Sequence, residues 1–400
     1  MMDKKIYLHI GFNKSGSSAL QAFLSLNPEF KASVFQENFL YCVFNPDGSI
    51  SSRKKIAGLT TSLDLSYSAI FKTADLSKTK HDLDNIFSAG YTPIFSHEDW
   101  GLRFSEFEQS NFFIELGCSA HLIVYVRPQV EWLNSAWWQW FAWGSHHSPK
   151  DVLGISGCDH ILWADYIEKW KNVPGVKSVA VRLLDKDIIE DFMNLLSIPK
   201  NPEIKYPARI NVGLSPTHIK LLMRNPEIRG VHGAEVDGIF SEILHFDGSS
   251  PWVIDKELIG EVISVTHTGN LKLLSMLDES SRKVMENDSR WWSPEFYSKR
   301  HPFSKKDMEL DKEELLAIAD QIMPAVIRVV RVRDYVVEER DHVVRELGYV
   351  VEERDHLMRE RDHLIRERDH LVRERDKLLN SISWKITQPL RRIKSWWIRH

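Results

Sequence analysis

The 400-residue chain predicts an α/β fold, a central parallel sheet flanked by helices, extended by a long C-terminal helix. Short apolar runs with strand character recur at residues 6–10, 92–95 and 122–126, and turn signals and segments of helical spacing lie between them. Alternating strands and helices imply parallel pairing. From Arg333 the sequence repeats every seven residues, the period of a long helix with one apolar stripe.

Composition narrows the classes of function. A hydrophobic fraction of 43% and a charged fraction of 27% are those of a soluble globular protein. The formal charge of −4 gives no general attraction to nucleic acid, so nucleic acid is not an expected partner and any anion must be held by a local site. Cys42, Cys118 and Cys158 are odd in number and widely spaced, which suits neither a disulfide framework nor a zinc site and fits a reducing compartment. The apolar segment at 6–10 is too short for a signal peptide, and no apolar run approaches the roughly 20 residues that span a bilayer. The expectation is a cytoplasmic protein.

The first strand leads into a loop, Gly11-Phe12-Asn13-Lys14-Ser15-Gly16-Ser17-Ser18, and then into a helix whose Leu20, Phe23 and Leu24 have helical spacing. Strand, glycine loop and helix together make a phosphate cradle. The two glycines stand where a Walker A loop has them, but Ser17 follows the second, and the lysine sits inside the loop as Lys14. Its ammonium can reach an anion from the crest while the N–H groups of the helix start hold other oxygens.

Pro28 ends the first helix. Residues 49–80 read as surface loop, with one helix around 82–87. A strand beginning at Thr92 then ends in Ser96, His97 and Glu98, and chemistry in open α/β sheets gathers at the carboxyl ends of strands. The run at 122–126 reads as a central strand covered on both faces. Arg127 closes it, Pro128 suits the first turn of a helix that Gly144 terminates, and Ser135 follows Arg127 by eight residues. An arginine fork and a hydroxyl so spaced can converge on one phosphate. Val130, Leu133, Trp137 and Trp140 have the spacing of a buried face, which leaves Trp138, Trp143, His146 and His147 as acceptor-side candidates. Residues 160–198 read as helix, strand and helix, and residues 217–305 carry further helical patterns.

The stretch LHIGFNKSGSSALQ resembles the 5'-phosphosulfate loop of the sulfotransferases, close to HIG-x-x-K-T-G-T-T-x-L-Q, with serine at each threonine position. Arg127 and Ser135 resemble the same family's 3'-phosphate loop, where an arginine at a strand end precedes a serine by eight residues. The resemblance implies a P-loop-related sulfotransferase fold and the donor 3'-phosphoadenosine-5'-phosphosulfate (PAPS), with no metal required. It places Lys14 at the transferred sulfuryl group, Ser15, Gly16, Ser17 and Ser18 at the 5' phosphate, and Arg127 and Ser135 at the 3' phosphate. Glu98 is its first candidate for the general base and His97 its second, a carbohydrate is the implied acceptor, and the loop at 209–215 is expected to close over nucleotide or acceptor. Asp191-Phe192 also matches the family's progression.

The seven repeats, RDYVVEE through RDKLLNS, set adjacent apolar pairs such as Leu364 and Ile365 beside a first position that is usually arginine and once Leu347. Asp362 and Arg366 have the spacing of a supporting helical pair. Residues 382–400 carry Lys385, Arg391, Arg392, Lys394 and Arg399, no acid, and Trp384, Trp396 and Trp397, a composition suited to a membrane surface. The expected organisation is a catalytic domain at 1–305, a connecting helix at 306–332, a homo-oligomerising stalk at 333–381 and a basic tail at 382–400 that contacts the inner face of the membrane. Two rival classes share these features in part: a P-loop kinase or NTPase, and a non-catalytic scaffold carrying a relic domain.

Overall fold

The computed structural model describes residues 4–32, 37–45, 47–52, 76–143, 148–151, 158–184, 187–207, 214–225, 228–229, 237, 244, 246, 248–304, 307 and 309–387. The chain forms two compact units, residues 1–319 and 320–400.

In the first unit, strand β1 (Lys5–His9) lies at the centre of the sheet because its inward residues have no polar face to offer: Ile6 and Leu8 are fully buried. Strands β5 (Tyr91–Ser96) and β6 (Ser119–Val126) pair with it in parallel on either side. Outside them β3 (Asn38–Phe44) runs parallel to β5, and β7 (Val176–Leu183) runs parallel to β6. Two short strands, β2 (Glu29–Lys31) and β4 (Ile50–Ser52), pair antiparallel with β3, so that the spatial order is β2-β3-β5-β1-β6-β7 with β4 beside β3. In register, His9 lies opposite both Ser96 and Ile123. The carboxyl ends of β1, β5 and β6 therefore open on one edge of the sheet, where ligands of open α/β folds bind.

Strand β4 departs from the loop expected at 49–80, and β2 and β3 lie in a stretch for which the sequence predicts no element. The six apolar residues of 39–44 are all buried, a run legible as a strand, whereas its two partners are only three residues long and too brief to show a period.

Helices cover the sheet: α1 (Ser17–Leu26) after β1, α2 (Leu76–Ser88) before β5, α3 (Phe104–Gln109) and α4 (Phe112–Leu116) before β6, α5 (Gln129–Ala136) after it, α6 (Trp163–Lys171) before β7 and α7 (Ile188–Leu195) after it. The Asp187 carboxylate accepts from the Glu190 N–H at 2.9 Å and starts α7. Helices α8 (Pro216–Arg224), α9 (Lys256–Leu274) and α10 (Glu279–Asn287) complete the unit, and α9 is tied to α5 by a buried 2.6 Å bond from Gln129 to Asn270.

After α5 the chain takes one π-helical turn, Trp137–Phe141, closed by a bond from the Ala142 N–H to the Trp137 carbonyl at 3.0 Å. The turn inserts an extra residue and rotates everything beyond it relative to an α-helix. That reverses the expected fates of the tryptophans. Trp138 and Trp143 are buried, with indole N–H groups bonded to the carbonyls of Pro251 (2.7 Å) and Trp138 (2.5 Å), so neither can face an acceptor. Trp137 and Trp140, expected in the core, are only half-buried. His146 and His147 lie outside the described residues, as does 209–213 of the expected closing loop.

Helix α11 spans Lys312–Asn380, 69 residues and about 100 Å at 1.5 Å per residue. The seven-residue spacing is not confined to the repeats: Leu315-Leu316 and Ile322-Met323 stand in the same register as Leu357-Met358 and Leu364-Ile365. The stripe is open to solvent, Leu357 and Leu364 each being 56% exposed. Each repeat that opens on arginine pairs it with the next residue, as in Arg361–Asp362 at 2.7 Å; Asp362 is thus engaged by its neighbour rather than by Arg366. A short helix, α12 (Ile382–Ile386), follows, and residues 388–400 lie outside the described part. Among the described residues no helix is long and apolar enough to cross a membrane.

Candidate functional site

The loop between β1 and α1 is built by two residues in left-handed conformation, Lys14 (φ 63°) and Gly16 (φ 87°). For lysine this conformation is uncommon and costs on the order of 1 kcal/mol, so the fold must hold it. Three bonds do so. Arg127 Nη1 donates to the Lys14 carbonyl at 3.2 Å, Trp132 Nε1 donates to the Asn13 carbonyl at 2.7 Å, and the Ser15 N–H returns to the Phe12 carbonyl at 3.1 Å. Gly16 is the N-cap of α1 and brings no side chain to close it, and the first turn holds no acid, so the helix start is left for an outside anion.

Inside the cradle lie buried polar atoms that no protein group satisfies: the hydroxyls of Ser15 and Ser17, the Asn13 side-chain oxygen and Arg127 Nε. Buried groups of this kind normally have partners. Two hydroxyls and a guanidinium N–H are the donors an anion would engage. Ser15 and Ser17 are buried, whereas Ser18 stands half-exposed at the helix surface.

The Lys14 ammonium crosses the crest to the side-chain carbonyl of Gln139 in the π turn. Burial lowers its pKa to about 8, opposed by the nearby Glu98 carboxylate and reinforced by Arg127. Burial in turn raises the Glu98 carboxyl, with Asp99 adding to the rise and Lys14 opposing it. Lysine and glutamate thus sense each other at the strand ends, a cation from the β1 loop and a carboxylate just past β5. His97 is buried and differently engaged: its Nδ1 accepts the Asp99 N–H at 3.1 Å, and its ring stacks on Trp100 at 5.3 Å between centroids. Of the two base candidates, Glu98 is the one in electrostatic contact with Lys14.

Arg127, at the end of β6, is half-buried, and its guanidinium bridges two regions. Nη1 holds the loop, while Nη2 lies 3.6 Å from Glu131, a carboxylate that Arg290 approaches at 3.5 Å from the other side. Burial lowers the Arg127 pKa, with Glu131 the largest opposing influence. Ser135 sits two turns along α5, half-exposed, and its hydroxyl is not bonded to Arg127 in this structure. Asp191 is structural here, accepting from Tyr125 at 2.9 Å and from Arg182 Nε at 3.0 Å, and Phe192 is core.

Two participants had no sequence signal of their own. Gln139 is the one amide in the run WWQWF, and its place against Lys14 spans 125 residues. Arg229, fully buried, forms a two-pronged pair with Asp237 (2.7 Å each), donates to the Gln139 carbonyl at 3.1 Å and lies 4.4 Å above the Trp143 ring. It fixes the backbone of the residue that fixes Lys14.

No family model matches the chain, and no curated protein does either. Among solved structures it is similar to a sulfotransferase from Alicyclobacillus acidocaldarius, at 12% identity and a TM-score of 0.34, over 71% of this chain and 99% of that one. It is also similar to the mouse sulfotransferase SULT7A1 complexed with PAP, at 13% identity and a TM-score of 0.27, over 71% and 88% of the two chains. At such scores the functional assignment rests on the residues of the site.

Proposed function

We propose that the chain transfers a sulfuryl group from PAPS to a hydroxyl of a carbohydrate acceptor. The observation that carries this reading is a cradle whose buried donors have no protein partner, beneath Lys14, which sits at a left-handed loop crest within electrostatic range of Glu98. The acceptor oxygen attacks sulfur as the bond from sulfur to the 5'-phosphate oxygen breaks, and the proton of the acceptor hydroxyl passes to Glu98. Lys14 and the N–H groups at the start of α1 stabilise the charge that grows on the departing phosphate. Arg127, with Ser135, faces the 3' phosphate and in the same stroke holds the Lys14 carbonyl, so that one guanidinium links the two ends of the donor.

Lys14 has a second use for its burial. A lysine that leaves a hydrated surface to bond an amide gives up that bond when a more strongly charged oxygen arrives, and Gln139 is such a holder. On the acceptor side, the half-buried Trp137 and Trp140, which share the π turn with Gln139, are assigned to pack against the apolar face of a sugar. The heptad helix is assigned to self-association of the chain, and the basic tail to contact with an anionic surface.

Labelled-sulfate transfer from PAPS into a panel of glycans tests the reading. Label should enter a carbohydrate with the parent protein and not with Lys14→Ala; absence of transfer by the parent to any member, alongside intact folding, would favour the scaffold class.

A further inference from the structure

Beneath the cradle lies a histidine that the proposed reaction does not use. His9 is the last residue of β1 and is fully buried, with its ring edge-on to Tyr125 at 5.9 Å between centroids. Its Nδ1 lies 2.8 Å from the Ser96 hydroxyl at the end of β5, and Ser96 is itself fully buried. Its Nε2 is buried and bonded to nothing. The Ser17 hydroxyl, in the first turn of α1, is likewise buried and unbonded.

These two orphans face the same small space. A Cβ built on Gly11 would stand 2.3 Å from the Ser17 hydroxyl, 3.2 Å from His9 Cε1 and 3.4 Å from His9 Nε2. Glycine at position 11 is what lets the serine hydroxyl settle over the imidazole edge. Burial, with the charge of His97 adding to it, lowers the His9 pKa to about 3, so the ring is neutral and carries one proton. A neutral imidazole donates from one nitrogen and accepts at the other. If Ser96 donates to Nδ1, the proton is on Nε2, which borders the same space as the Ser17 hydroxyl.

Direction then matters. The Ser17 hydroxyl has one proton to give. Given downward to an imidazole acceptor, it leaves only lone pairs for the anion above. With Nε2–H donating from below, the serine proton is free to point up into the cradle.

We propose that His9 is a positioning residue for the anion cradle: with Ser96 setting its tautomer, its Nε2–H donates to the Ser17 hydroxyl and turns that hydroxyl into a fixed donor toward the 5' phosphate. The inference rests on the PAPS reading above and deepens it by adding the pair His9 and Ser96 to the loop. Of the two links, Ser96 to His9 is made in this structure; with the second, from His9 to Ser17, the β5 end that carries Glu98 and the helix proposed to bind phosphate would share one hydrogen-bonded support.

The test begins with the parent protein. Nitrogen-15 NMR of the full chain labelled at histidine, with His9 assigned through His9→Gln, should show the Nε2–H tautomer unchanged between pH 5 and 9, and PAP should shift the Nε2 proton. A Nδ1–H tautomer, or a ring that titrates in this interval, overturns the inference. Calorimetric binding of PAP then separates positioning from mere packing. His9→Gln, whose amide nitrogen falls near Nε2, should bind within a few-fold of the parent, and His9→Asn, which reaches only Nδ1, about tenfold more weakly. Ser17→Ala should erase the difference between the two variants, since the effect passes through that hydroxyl. Equal loss in both His9 variants, or losses that add to that of Ser17→Ala, overturns the inference and leaves the sulfotransferase reading standing. A folded parent that binds no PAP overturns both.

Discussion

The strand ends, where Lys14 of the β1 loop meets Glu98 past β5, and the repeat helix carry the same kinds of side chains, cations near carboxylates, and put them to opposite ends. Along α11 each Arg–Asp pair sits in solvent, with Arg361 and Asp362 exposing 60% and 51% of their side chains. Pairs of this type are worth about 0–1 kcal/mol and leave both charges in water. At the strand ends Lys14 and Glu98 are held partly out of water, and burial shifts each toward its neutral form. A charge is chemically useful where the fold has made it expensive, and the price is met by Arg127, Trp132 and Gln139 around the loop. Abundance of charge therefore says little about where the chemistry is; partial burial on the carboxyl edge of the sheet says more.

The contrast can be broken most sharply at Lys14. Lys14→Ala should lower sulfuryl transfer by about 10²–10³-fold, the size of a lost charge-stabilising donor, while circular dichroism retains the helical signal of α11. Comparable loss of transfer from Arg361→Ala would erase the distinction between the two regions.

A smaller effect is expected at Arg127. Removal of its guanidinium by Arg127→Ala should reduce the preference for PAPS over adenosine 5'-phosphosulfate, which lacks the 3' phosphate, by about 10–100-fold, as for a charge-assisted bond. Measured as the ratio of kcat/KM for the two donors, an unchanged preference would remove Arg127 from the 3' site.

The pH profile sharpens the comparison further. Glu98 must be ionised to take a proton, and its carboxyl is raised, so transfer should climb through an elevated carboxylate pKa; Lys14 must be charged, so transfer should fall as pH passes about 8. A flat profile between pH 5 and 9 would contradict both assignments. His9 gives a companion stability effect with a definite sign. Its folded pKa of about 3 lies below the ordinary 6.5, so the unfolded chain binds the proton more readily, and the stability it contributes is present above 6.5 and lost as pH falls toward 3.

Smallest for catalysis, and informative for that reason, is a change on the helix. Leu364→Asp should lower the sedimentation coefficient through loss of self-association while leaving PAP affinity within twofold. No change in sedimentation would set aside the oligomerising role.

The sequence is legible where local pattern and function coincide. Strand β1, its glycine loop and α1 could be read because apolar run, turn and helical spacing follow within 22 residues of 5–26. Arg127 could be read because it ends an unbroken apolar strand. Strands β2 and β4 could not, since three residues carry no period. The tryptophans were misassigned because helical spacing was extended through a π turn that no residue type announces. Gln139, Arg229 and the His9–Ser96 pair stayed invisible for a different reason: each acts through a partner brought close only by the folded sheet.

The central claim is that the cradle takes a 3'-phosphorylated sulfuryl donor. Competition between PAP and ATP with magnesium for the full chain, followed by calorimetry at fixed ionic strength, tests it most directly. The account predicts that PAP binds and that a large excess of ATP with magnesium fails to displace it. Clear preference for ATP with magnesium would contradict the account and return the loop to the kinases and NTPases.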